Sequence, residues 1–66
     1  MKEFDFGKNI KEVRIACKLT QKEFGEKLGF SARTVSDWEH NNTEPDMITI
    51  KKIVKTFKIA YEEIFE

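Results

Sequence analysis

The sequence predicts an all-α fold of five short helices, and three observations carry the prediction. Apolar residues recur at spacings of three and four along most of the chain, the period of a helix with one buried face. Residues that start and stop helices stand at the borders of those runs: Asp5, Thr20, Ser31 and Asp46 ahead of them, Gly29 and Pro45 between them. The chain has 66 residues, 39% hydrophobic and 36% charged, so residues 1–66 are expected to form one small soluble domain. A domain of that size buries only about 60% of the surface its unfolded chain exposes, too little for a deep catalytic cleft.

The first helix is expected from Phe6 to Cys17, with Phe6, Ile10, Val13 and Cys17 as its apolar stripe and Asp5 as its N-cap. Lys18 and Leu19 leave a very short link to Thr20, so the first two helices must be neighbours, with Leu19 plugging the joint. Thr20 and Glu23 form a capping box, in which each side chain satisfies the other's free backbone N–H. Phe24 and Leu28 then share a face, Gly29 supplies the positive φ that ends the second helix, and Ser31 caps the third. Val35 and Trp38 repeat on the apolar side of that third helix, which leaves Ala32, Arg33, Ser36 and Asp37 pointing outward. Two helices set at an angle around a glycine-containing turn, over residues 20–39, have the plan of a helix-turn-helix.

The stretch HNNTEPD after Glu39 reads as a loop closed by Pro45. Asp46 caps a fourth helix whose apolar stripe is Met47, Ile50, Val54 and Phe57, widened by Ile53, with Lys51, Lys52, Lys55 and Lys58 on the wet side. The closing YEEIFE, residues 61–66, offers about one and a half turns of a fifth helix, for which Ala60 is a poor cap. The expected core is Ile10, Val13, Leu19, Phe24, Leu28, Phe30, Val35, Trp38, Met47, Ile50, Val54, Phe57, Ile59 and Ile64.

Composition narrows the function. Cys17 is the one cysteine and His40 the one histidine, so neither an intramolecular disulfide nor a structural zinc site is expected, and no cofactor or metal. Glu62 and Glu63 resemble a catalytic carboxylate pair only in one dimension, because adjacent helix residues diverge by about 100°. No nucleophile–base pair or phosphate loop is present, so the chain is not read as an enzyme. No apolar run is long enough to span a membrane and MKEFDF is too charged for a signal peptide, so a cytoplasmic location is expected. Twelve basic residues balance twelve acidic ones, which weakens any general attraction to phosphate and makes the local arrangement of charge decisive.

The ordered set Ile10-x-x-Val13-Arg14, Leu19-Thr20-Gln21, Leu28-Gly29 and Ser31-x-x-Thr34-Val35-Ser36-x-Trp38-Glu39, followed by Pro45 and Glu63-Ile64-Phe65, resembles the Cro and phage-repressor type of helix-turn-helix. The resemblance covers nearly the whole chain. It implies a five-helix, lambda-repressor-like DNA-binding domain in which the third helix enters the major groove and the second lies across the backbone.

Position by position, the resemblance implies that Gln21 anchors a phosphate at the start of the second helix. Ala32, Arg33 and Asp37 fall where the family reads base edges, with Thr34 and Ser36 supplementing them through base or phosphate contacts. Arg33 could take guanine bidentately and Ala32 could touch a thymine methyl, whereas Asp37 either accepts from cytosine or tethers Arg33. Arg14 and Glu39 correspond to an ion pair joining the first helix to the end of the third. The sequence departs from the family in two places. Lys18 stands where a glycine often ends the first helix, and His40-Asn41-Asn42-Thr43-Glu44 replaces an Asn-Gly and basic loop. Asn41 can still adopt the left-handed conformation, and phosphate contact from this loop then rests on neutral donors or a protonated His40.

The implied function is sequence-specific transcriptional regulation, of the repressor kind, by a homodimer on a pseudo-palindromic stretch of double-stranded DNA. A rival reading uses the same fold to bind a protein partner, with DNA affinity weak or lost. The neutral net charge and Asp37 favour it.

Overall fold

The computed structural model describes residues 5–65 and contains five helices in that span: α1 (Phe6–Ala16), α2 (Gln21–Leu28), α3 (Ala32–Glu39), α4 (Met47–Phe57) and α5 (Tyr61–Phe65). The fold class is the expected one, and Glu66, read as part of the last helix, lies outside the described residues. α2 and α3 pack on each other as the helix-turn-helix pair, α1 packs on α3 and α5, and α4 packs on α2.

Each long helix starts on a side-chain cap. Asp5, Thr20, Ser31 and Asp46 accept the backbone N–H of Lys8, Glu23, Thr34 and Thr49, the residue three positions on in every case. At Thr20 the box is complete, because Glu23 Oε1 takes the Thr20 N–H at 2.9 Å. Ala60 has no capping side chain, and the other half of a capping box stands alone there, Glu63 Oε2 accepting the Ala60 N–H at 3.1 Å.

The core is built from Phe6, Ile10, Val13, Phe24, Leu28, Val35, Trp38, Ile50, Ile53 and Ile64. Phe24 is fully buried and its ring lies parallel to that of Phe57 at 4.5 Å, which joins α2 to α4. Leu19, Val54, Phe57 and Ile59 are half-buried against this core. Two expected core residues are exposed instead. Met47 is on the surface because it opens α4, and the positions beneath that first turn are filled by Pro45 and Thr49, both buried. The buried face of α4 is therefore centred on Ile50 and Ile53, so Ile53 is fully buried rather than a flank of the stripe. Phe30 sits in the turn in a T-shaped contact with Trp38, centroids 5.1 Å apart, and is 36% exposed.

Two close backbone approaches depend on glycine. A Cβ at Gly25 would fall 2.4 Å from the Phe30 carbonyl oxygen, so the tight turn of the helix-turn-helix requires a bare position there. A Cβ at Gly7 would meet the Glu39 and Trp38 carbonyl oxygens at 2.4 and 2.6 Å, which places the first turn of α1 directly on the end of α3.

Candidate nucleic-acid interface

The outward face of α3 and the start of α2 hold most of the candidate residues. Arg33 is the most open of them, its side chain 86% exposed, with Nε 3.7 Å from Asp37 Oδ1 one helical turn on. Asp37 thus sits beside the guanidinium, in the tether geometry expected of an i, i+4 pair. Thr34 turns its hydroxyl to Ser31 Oγ at 3.1 Å, and Ala32 is half-buried beside it. Ser36 stands above His40, whose Nδ1 is 2.8 Å from the Ser36 carbonyl oxygen. A carbonyl only accepts, so Nδ1 carries the hydrogen and Nε2 is left for an outside partner.

Behind this face lies a polar brace. Arg14 Nε donates to Glu39 Oε2 at 2.6 Å, Arg14 Nη2 to Glu39 Oε1 at 3.3 Å, and Arg14 Nη1 to the Leu19 carbonyl at 2.9 Å. The Glu39 side chain is 2% exposed. Gln21 Nε2 also donates to Glu39 Oε1, at 3.1 Å, so a single carboxylate ties together α1, the start of α2 and the end of α3. The resemblance implied the Arg14–Glu39 pair, but nothing in the sequence signalled that Gln21 would join it. The second N–H of the Gln21 amide is not used by this bond.

The brace also changes the local charge balance. Over residues 20–44 three basic residues face five acidic ones, but Glu39 is matched by Arg14 from outside that stretch. The face is therefore less acidic than the bare count suggests.

Asn41 behaves differently from the loop residue expected to meet DNA. It has the left-handed φ of 60°, as its residue type allows, but its side chain turns inward. Its Oδ1 accepts the Gly7 N–H at 2.9 Å and its Nδ2 donates to Asp5 Oδ1 at 2.8 Å. The Asn41 amide and the Lys8 N–H hold the Asp5 carboxyl below the ordinary carboxylate range. Asp46 is lowered in the same sense by the hydroxyl and N–H of Thr49. Lys52, expected on the wet side, sends Nζ to the Leu28 carbonyl at 2.9 Å, where a cation also suits the C-terminal end of α2.

A capped helix, a turn held by a bare glycine and a second helix braced at its far end define a helix-turn-helix protein. A model of the helix-turn-helix family matches residues 10–64, and the chain belongs to that family. It is 30% identical over 60 residues to the HTH-type transcriptional activator BcrR of Enterococcus faecalis, a match covering 91% of this chain and 29% of that protein. The chain spans less than half the length of the curated relatives it matches. Among solved structures, the restriction-modification controller protein C.AhdI of Aeromonas hydrophila superposes with a TM-score of 0.82 at 25% identity, over 91% of this chain and 87% of that one. The P22 c2 repressor, solved with a synthetic operator, superposes with a TM-score of 0.81 at 24% identity over 92% of each chain, a likeness of fold.

Proposed function

We propose that this chain is a sequence-specific DNA-binding transcriptional regulator that lays α3 in the major groove and α2 across the backbone. The observation that carries the reading is the brace on Glu39: it holds the recognition helix against two others by its buried end and leaves Arg33 as an open, planar donor on the opposite side. Arg33 reads a guanine through O6 and N7, with Ala32, Ser36 and Asp37 beside it. The free N–H of Gln21 and the N-terminus of α2 take a phosphate, joined at the margins by Thr34 and by His40 in its protonated form, whose Nε2–H then donates. Repression by occupancy needs only this surface, and we assign the chain that sign of action. The names of the relatives, an activator and a regulator among them, support regulation of transcription as the common theme.

Two copies are proposed to act together on a pseudo-palindrome. Half-sites about 34 Å apart suit a molecule with extents of 35 × 23 × 23 Å. Tyr61 and Phe65, both partly exposed with rings 6.5 Å apart, offer an apolar contact for the second copy. Ile64, on the same helix, is fully buried in the monomer core.

Selection of bound sequences from a random DNA pool, followed by a salt titration, tests the reading. Wild-type protein is expected to enrich one motif and to lose affinity steeply with salt. Arg33→Ala should relax one base position by about 1–3 kcal/mol. Failure to enrich any motif at low salt would sink the proposal. It would favour the second reading, a protein-binding module, which the acidic Asp37 beside Arg33 supports.

A further inference from the structure

We infer that Asn41 is a positioning residue for DNA binding: it clips α1 to the exit of the recognition helix and so sets that helix's angle, without touching DNA itself. The inference rests on the DNA-binding reading above.

Both polar atoms of the Asn41 side chain are engaged within the chain. Oδ1 takes the Gly7 N–H and Nδ2 reaches Asp5 Oδ1, an oxygen that also caps α1 through the Lys8 N–H at 2.9 Å. One carboxylate oxygen thus serves the helix start and the clip together. The Gly7 backbone lies against the Glu39 and Trp38 carbonyls, so a change at the clip acts directly on the last turn of α3.

Arg14 provides the other link between the same two elements, through Glu39. Gly7 and Arg14 are seven residues apart on α1, about 10 Å along its axis. One link would leave α3 free to pivot about it, whereas two links that far apart resist rotation. The backbone N–H groups of His40, Asn41 and Asn42 are turned to carbonyls of Ser36, Trp38 and Asp37. The loop around Asn41 therefore faces back into the protein through its main chain as well.

The positioning role and a direct phosphate contact predict different results. Asn41→Gly keeps the left-handed backbone and removes the clip. In the pair Asp5→Asn with Asn41→Asp the link is rebuilt with donor and acceptor exchanged. The carboxylate introduced at position 41 accepts from Gly7 and from the amide introduced at position 5, which turns so that its nitrogen faces position 41 while its oxygen keeps Lys8 capped, two atoms dividing the work of the single Asp5 oxygen. Affinity for an operator selected with wild-type protein is measured by fluorescence anisotropy across a salt series, at a temperature where circular dichroism shows each variant fully helical. Asn41→Gly should bind about tenfold more weakly, because the clip that orients α3 is gone. Asn41→Asp alone should be at least as weak, since its carboxylate faces that of Asp5. The pair should return to within about twofold of wild type.

Wild-type affinity in Asn41→Gly, or a pair no better than Asn41→Asp, as a phosphate contact repelled by the new carboxylate would give, would each overturn the inference. Absence of wild-type binding would remove the functional reading beneath it and the inference with it. That failure is seen before any variant is compared.

Discussion

Glu39 has two carboxylate oxygens and receives three side-chain N–H groups, two from Arg14 and one from Gln21. With 2% of the side chain exposed, water cannot replace a missing partner. Glu39→Gln keeps the shape but leaves the Arg14 charge without its anion. It should destabilise the fold by about 3 kcal/mol, the low end of the range for a broken buried pair because Arg14 keeps some contact with water. Urea unfolding measures this. Replacing both partners by apolar residues, Arg14→Met with Glu39→Leu, should recover most of that stability, yet DNA affinity should stay low because Gln21 loses its anchor. A variant pair that regains both would separate the brace from binding. A pH prediction belongs at the same scale. Asp5 and Asp46 have depressed carboxyl values in the folded protein, so the stability they confer is complete above their unfolded value near pH 4 and is lost as pH falls through the lower folded values. Melting temperature should therefore be insensitive to these groups between pH 5 and 8 and fall on the acid side. Asp5→Asn and Asp46→Asn, which retain a capping oxygen, should flatten that acid limb.

The ends of the helices differ in how they meet the demand for a left-handed residue. α2 leaves through Gly29 with φ 86°, but α1 and α4 leave through Lys18 and Lys58 with φ of 60° and 55°. A side chain in that region costs roughly 1–2 kcal/mol, partly offset by the lower entropy cost of ordering a residue other than glycine. Lys18→Gly and Lys58→Gly should each stabilise the fold by about 0.5–1 kcal/mol, readable as a rise of a few degrees in melting temperature. Gly25→Ala should do the opposite and more strongly, since backbone rather than a movable side chain fills the space. These positions also mark what was legible beforehand. The starts of the four long helices were readable because a cap is a local matter: one oxygen, three residues and a fixed spacing. The exit at Lys58 was not, because lysine carries no preference for the conformation it adopts there, and the exit at Lys18 was marked only by the glycine that the resemblance puts at that position. Met47 was misplaced for a related reason. Periodicity says which face of α4 is apolar but not where α2 stops covering it, and at that edge Pro45 and Thr49 take the buried places. The candidate interface divided along the same line. Arg33 and Asp37 met as one-turn neighbours do, whereas Asn41 found partners 34 and 36 residues away that no local pattern announces.

At the scale of the whole molecule, equal numbers of basic and acidic residues leave no net charge to draw the protein to DNA. Specific binding then depends on the placement of a few donors and on two copies acting together. Sedimentation with a palindromic operator should give two protein chains per duplex. Tyr61→Glu, placing a charge on the proposed contact, should reduce this to independent single-site binding. A strict monomer on DNA with wild-type protein would remove the dimer from the proposal. Among the described residues no helix is long and apolar enough to cross a membrane.

The buried amide of Asn9 donates to the Ile64 carbonyl at 2.7 Å, and the rings of Phe6 and Phe65 lie 6.2 Å apart. The first and last helices are thus next-door neighbours, and in space the described chain is nearly a closed loop. Its order of synthesis is then separable from its shape. A circular permutant that joins the two ends by a short flexible linker and opens the exposed stretch between Asn42 and Glu44 would keep every helix and every cap named above. It would also place the two new ends beside the exit of the recognition helix, where a second DNA-reading module could be attached in register with the first.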